Sequence, residues 1–133
     1  MPDSPEVIKL VAKPLVREVF KSGDAEVNLG DRSVFTHQVL HGDEPVGFDG
    51  GVCTVVRIEE DGGYYILCNV SMMLEEGTLS FQTFVKEVFP PPPFYAAITG
   101  GTGAFAGARG EMHIDPASPD THFYTLKLRT DTA

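Results

Sequence analysis

His37, Cys53 and Tyr124 are the side chains of this 133-residue chain whose types and placement could carry chemistry. His37 alternates with Phe35 and Val39 on one side of a short run, against Thr36 and Gln38 on the other. An imidazole in that setting either hydrogen-bonds a substrate oxygen or a bound water, or is a satisfied core histidine. Tyr124 shares a face with Leu126 and Leu128, so its phenol either donates to a carbonyl or fills the core. Cys53 reads first as a small buried hydrophobe. Arg109 alternates with Glu111 and His113, opposite Met112 and Ile114, and suits an ion pair at the surface or rim. No Cys-x-x-Cys or His-x-x-x-His cluster is present, so no metal site is expected. The glycines of 100–110 include Gly101-Thr-Gly103, which suggests a phosphate-cradling loop. No strand-to-helix unit follows it. A tight connection needing positive φ and close backbone approach is the better reading.

These residues need a scaffold, and composition limits which. The length fits one domain over 1–133, and 42% hydrophobic residues can form a core. A net charge of -9 argues against nucleic acid and against anionic membrane surfaces. The polar start and the lack of a long apolar run make a cytoplasmic protein the expectation.

Fourteen glycines and ten prolines suggest many turns and few helices. Between them, runs rich in Val, Ile, Phe, Tyr and Thr predict strands over 6–13, 33–40, 51–59, 64–71, 78–88, 94–99, 108–114 and 122–129. Eight short strands form an all-β sandwich or barrel. A hairpin loop at 60–63 sets 55 opposite 68 and 53 opposite 70; a loop at 72–77 sets 68 opposite 81. The shared inner face is then Cys53, Val55, Ile66, Cys68, Val70, Leu79, Phe81, Thr83 and Val85. Asn69 and Gln82 fall outside. Cys53 and Cys68 become diagonal neighbours, able to form a conditional disulfide but expected as free thiols in a reducing cytoplasm. The other face of 51–59 carries Val52, Val56 and Ile58 beside Tyr65 and Leu67. A doubly apolar sheet needs cover, so a homo-oligomer is expected.

Four segments carry a family resemblance. Ile98-Thr-Gly-Gly-Thr-Gly-Ala-Phe-Ala-Gly-Ala-Arg-Gly110 resembles the signature loop of allene oxide cyclases and dirigent proteins. Gly30-Asp-Arg-Ser-Val-Phe-Thr-His37, Gly51-Val-Cys53 and Phe123-Tyr-Thr125 resemble cyclase motifs and follow in family order. The resemblance implies an eight-stranded antiparallel barrel around a lipocalin-like cavity, catalysis without a cofactor, and a trimer in preference to a dimer. It implies that Cys53 lines the cavity and that His37 replaces a cavity asparagine. It also shows departures: Lys9 and Val11 replace a glutamate–asparagine pair, and Val85 replaces a tyrosine. Those losses argue against allene oxide cyclisation itself.

The expected function is therefore cofactor-independent ring closure of a hydrophobic, oxygenated, polyketide-like molecule. The barrel would hold a flexible chain in one folded conformer. Its expected walls are Phe35, Val55, Ile66, Cys68, Phe81, Val85 and Met112, with His37, Cys53 and Tyr124 as the catalytic candidates. The alternative is a non-catalytic carrier of an apolar small molecule. A structural subunit with a filled barrel is a third, weaker reading.

Overall fold

The computed structural model describes residues 5–131 and shows a closed barrel. Its strands are β1 (Glu6–Phe20), β2 (Arg32–His41), β3 (Glu44–Ile58), β4 (Tyr64–Leu74), β5 (Gly77–Lys86), β6 (Phe94–Gly101), β7 (Arg109–Ser118) and β8 (Thr121–Arg129). Each pairs antiparallel with the next, and β8 closes on β1. All eight predicted strands are present.

Alternation sets inside from outside. Along β4, Val70, Met72 and Leu74 are buried while Asn69, Ser71 and Met73 are exposed. One end of the barrel is filled by Leu10, Val39, Met72, Leu79, Met112, Leu126 and Leu128, which pack into a dry core. Met112, expected in the ligand wall, belongs to this plug: it pairs with Ala96 and Leu126 and is fully buried. The opposite end is open.

Two strands, β1 and β3, run furthest beyond their predicted bounds. The expected stop of β1 at Pro14 is replaced by a bulge at Leu15, between Pro14 and Val16, and the strand continues to Phe20. A proline is tolerated there because a bulge already interrupts the ladder. β3 begins at Glu44 rather than 51, since the turn falls at Gly42-Asp43 and the later glycines lie within the strand. Gly47 has a packing reason: a Cβ would sit 2.0 Å from the Met73 carbonyl oxygen.

The β3–β4 register differs by two residues from the hairpin expectation. A bulge between Val55 and Arg57 sets Val55 opposite Ile66 and Cys53 opposite Cys68. β5 is displaced likewise, with Cys68 opposite Thr83 and Val70 opposite Phe81. A shift of two keeps the side chains up to Val55 on their predicted face, while beyond the bulge Ile58, expected outside, pairs with Tyr64 on the inner face. It also changes the cysteines from diagonal to directly opposed. They form a disulfide in place of the expected free thiols. The bridge spans 15 residues, a loop for which chain entropy gives about 3 kcal/mol of stability. A Cys53→Ala/Cys68→Ala double variant is expected to lose that much in urea unfolding, with the m-value giving the control for two-state behaviour.

Candidate functional site

The open end leads into a cavity of about 750 Å³, within the range of small-molecule sites. Its waist is apolar: Phe35, Val55, Ile66, Val85, Phe94 and the Cys53–Cys68 bridge line it. Gly51 makes room for the first of these. A Cβ at 51 would stand 2.7 Å from both Phe35 Cζ and Val70 Cγ2. With glycine there, the Phe35 ring lies against β3 and stacks on His37, centroids 5.0 Å apart.

Where the waist meets the filled end, three strands bring polar groups together. β2 supplies His37, β3 supplies Asp49 and β8 supplies Tyr124. Asp49 is fully buried, opposite His37 in the β2–β3 ladder. The Tyr124 hydroxyl donates to Asp49 Oδ2 at 2.9 Å. His37 Nδ1 lies 3.2 Å from the Tyr124 oxygen and 2.9 Å from Asp49 Oδ1. The contact with Oδ1 is off the N–H direction, so it is a close charge contact and not an aligned hydrogen bond; Oδ1 has no aligned donor. Both neighbours of Nδ1 are acceptors. That places the proton of a neutral imidazole on Nδ1 and leaves Nε2 as its basic nitrogen.

His122 extends the group. It is partly buried, lines the cavity and meets His37 edge-on, centroids 5.4 Å apart. Burial first, and then the neighbouring His37, lower its pKa, so it is held neutral with a free lone pair. Tyr124 moves the opposite way. Burial, the Asp49 charge and the hydrogen bond to it push the phenol well above its ordinary value. It is a neutral donor tied to a carboxylate. Because its proton is held more tightly in the folded state, the associated stability is fully present below the unfolded pKa near 10. It is lost as pH rises beyond that value. Alkaline titration is therefore expected to show a tyrosine that ionises only with unfolding. Tyr124→Phe should remove that phase from the phenolate absorbance. The Tyr64 pKa is also raised, by burial first, so the difference spectrum between wild type and variant is the measurement.

Of the expected site residues, His37 and Tyr124 come together at the cavity floor, and Phe35, Val55, Ile66, Cys68, Phe81 and Val85 line the wall. Cys53 lines the cavity but holds no thiol, being bridged to Cys68. Met112 does not reach the cavity because the plug encloses it. Arg109 forms a surface ion pair, with Asp131 Oδ1 at 3.4 Å in place of Glu111. The glycine cluster is the tight connection expected, with φ of 63° at Gly103 and 70° at Gly107. Among the described residues, no group of three or more His, Cys, Asp or Glu has the geometry to hold a metal ion.

Asp49 and His122 were not among the expected residues, yet the alternation contained both. Two steps back from Cys53 along the inner face is Asp49; one step back from Tyr124 is His122. Asp49 fell just outside the predicted strand 51–59, and His122 stood at the start of 122–129.

Solved structures share the barrel. A pyocyanin demethylase is 28% identical over 93% of this chain and 100% of its own, with a TM-score of 0.82. AbnU, an exo-specific intermolecular Diels-Alderase, is 12% identical over 95% of this chain and 98% of its own, with a TM-score of 0.76. The Diels-Alderase AbmU from Streptomyces koyangensis is 12% identical over 97% of this chain and 70% of its own, at 0.73. The fold thus serves enzymes of more than one reaction class. The family model for the allene oxide cyclase barrel-like domain matches residues 17–128, and the chain belongs to that family.

Proposed function

We propose that this protein is an enzyme that folds a hydrophobic, oxygenated, polyketide-like molecule in its barrel and directs its ring closure by proton transfer. The observation that carries this reading is the His37–Asp49–Tyr124 network, buried at the floor of an otherwise apolar cavity. Buried polar groups are costly in a wall that needs only to pack. Here they are held together, and His37 and Tyr124 line the ligand space above the buried Asp49. His122, neutral and in contact with the cavity, takes up or returns the proton. His37, with Nε2 as its basic nitrogen, is a second acceptor for the proton, and the Asp49 carboxylate offsets the positive charge that appears on the imidazoles. The apolar waist excludes water and selects one folded conformer. These side chains supply the acid–base chemistry themselves, with no cofactor invoked. The exposed Val56 and Phe84 on the outer faces of β3 and β5 would be covered by further copies of the chain.

The test is the isomerisation of 5-androstene-3,17-dione, a hydrophobic β,γ-enone, followed by the absorbance of the conjugated product. Proton transfer at the floor is expected to accelerate it. Binding of the probe without turnover would favour the carrier instead. One observation supports a second enzymatic reading, namely the 28% identity with the pyocyanin demethylase across nearly the whole barrel. Incubation with pyocyanin, followed by mass spectrometry for loss of a methyl group, decides between demethylation and ring closure.

A further inference from the structure

The cavity mouth differs in charge from the rest of the molecule. Four of the ten Lys and Arg residues line the cavity, but only three of the nineteen Asp and Glu residues do. A chain of net charge -9 has therefore concentrated cations around one opening. The bulge at Leu15 is the cause on β1: beyond it Arg17, Val19 and Lys21 reach the cavity, with Arg17 opposite Phe35.

The cations are not equally available. Lys21 is engaged by Asp31 at 2.8 Å and by the Glu26 carbonyl. Asp31 also accepts from the backbone N–H groups of Ser22 and Asn28, which fixes the 21–31 loop. Arg32 sits over the Phe20 ring at 5.1 Å. Lys86 pairs with Tyr65 in the ladder, so it belongs to the outer parity and reaches the mouth only at the edge. Arg17 is different. Among the described residues it has no carboxylate within ion-pair distance. The groups facing it are Tyr64 and Glu87, both lining the cavity and both within its electrostatic reach. Glu87 is partly buried; desolvation raises its pKa and the charge of Arg17 lowers it. It stands beyond ion-pair distance of Arg17, so the guanidinium keeps its capacity for an incoming anion.

The mouth and the floor are separated by a definite length. On β4 the inner face runs from Val70 at the floor through Cys68 and Ile66 to Tyr64 at the mouth. Six residues at about 3.3 Å each give about 20 Å along the strand. With the strand tilt usual in barrels this becomes about 15 Å of depth.

We propose that the substrate class is an amphipathic molecule bearing an anionic oxygen group, a carboxylate or phosphate, held at the mouth by Arg17 while its apolar body spans the waist. An arginine fork suits either anion by paired hydrogen bonds. Anchoring one end at a fixed depth would place a chosen segment of the chain beside His37 and His122. This rests on the reading of the cavity as a ligand site and adds the polarity and length of its ligand.

The probe is N-phenyl-1-naphthylamine, a neutral fluorophore that reports on apolar cavities, displaced by dodecanoate, dodecyl phosphate or dodecan-1-ol, each below its micelle concentration. The anions are expected to bind about tenfold more tightly than the alcohol, the low end for a charge-assisted hydrogen bond. Their relative strength shows which anion is preferred. Arg17→Gln should abolish the preference while leaving dodecanol unchanged. Lys9→Gln, which removes an exposed charge near the closed end, should leave it intact. High salt should narrow the difference in wild type. Equal affinities in wild type, or a preference that survives Arg17→Gln, would overturn the proposal. If neither the fluorophore nor any ligand binds, the cavity reading falls and the proposal falls with it.

Discussion

Asp49→Asn is expected to lower probe isomerisation by about 10²–10⁴-fold while leaving the barrel folded. The substitution changes almost no volume. One amide oxygen still accepts from the Tyr124 hydroxyl, replacing the 2.9 Å bond to Oδ2. The other position becomes an N–H₂ group facing His37 Nδ1, where Oδ1 stood at 2.9 Å. Two donors cannot share that contact. The imidazole must shift its proton to Nε2 or rotate, and either change removes the basic nitrogen from the cavity side. The negative charge that offsets a developing imidazolium is lost as well. Rates with the enone probe give the size of the effect. Nitrogen-15 chemical shifts of His37 report the tautomer directly, and circular dichroism confirms the fold. A variant that keeps its rate within about threefold and its tautomer unchanged would remove Asp49 from the mechanism.

Val85→Trp should abolish ligand binding by a different route. Val85 lies opposite Ile66 on the inner face, in the waist between mouth and floor. An indole there closes the passage without touching His37, Asp49 or Tyr124. The dissociation constant of N-phenyl-1-naphthylamine should rise at least about 100-fold, equivalent to about 2.7 kcal/mol. Since the ring occupies ligand space rather than displacing packed neighbours, the melting temperature should hold or rise. Phe84→Trp is the control: the adjacent residue points outward and is 59% exposed. Its binding should match wild type. Undiminished binding in Val85→Trp would mean that the ligand site lies elsewhere.

What the sequence determined by itself was periodic and local. Alternation in β4 and β5 separates Val70, Phe81 and Thr83 from Asn69 and Gln82, because a strand sends successive side chains to opposite faces. Turn residues and motif order supplied the eight strands, and His37 and Tyr124 faced inward on the same grounds. Tertiary structure decided what depends on register and closure. A bulge at Val56 costs one residue of pairing and turns two diagonal cysteines into a disulfide. Asp49-Gly50 has the composition of a turn, yet β3 carries it as strand because Gly47 and Gly51 fit where Cβ atoms would collide. Closure of β8 onto β1 is a contact between chain ends. It brings Tyr124 to Asp49 across 75 residues and to His37 across 87. No local pattern encodes such distances, since they follow only from the sum of strand twist, bulges and barrel closure.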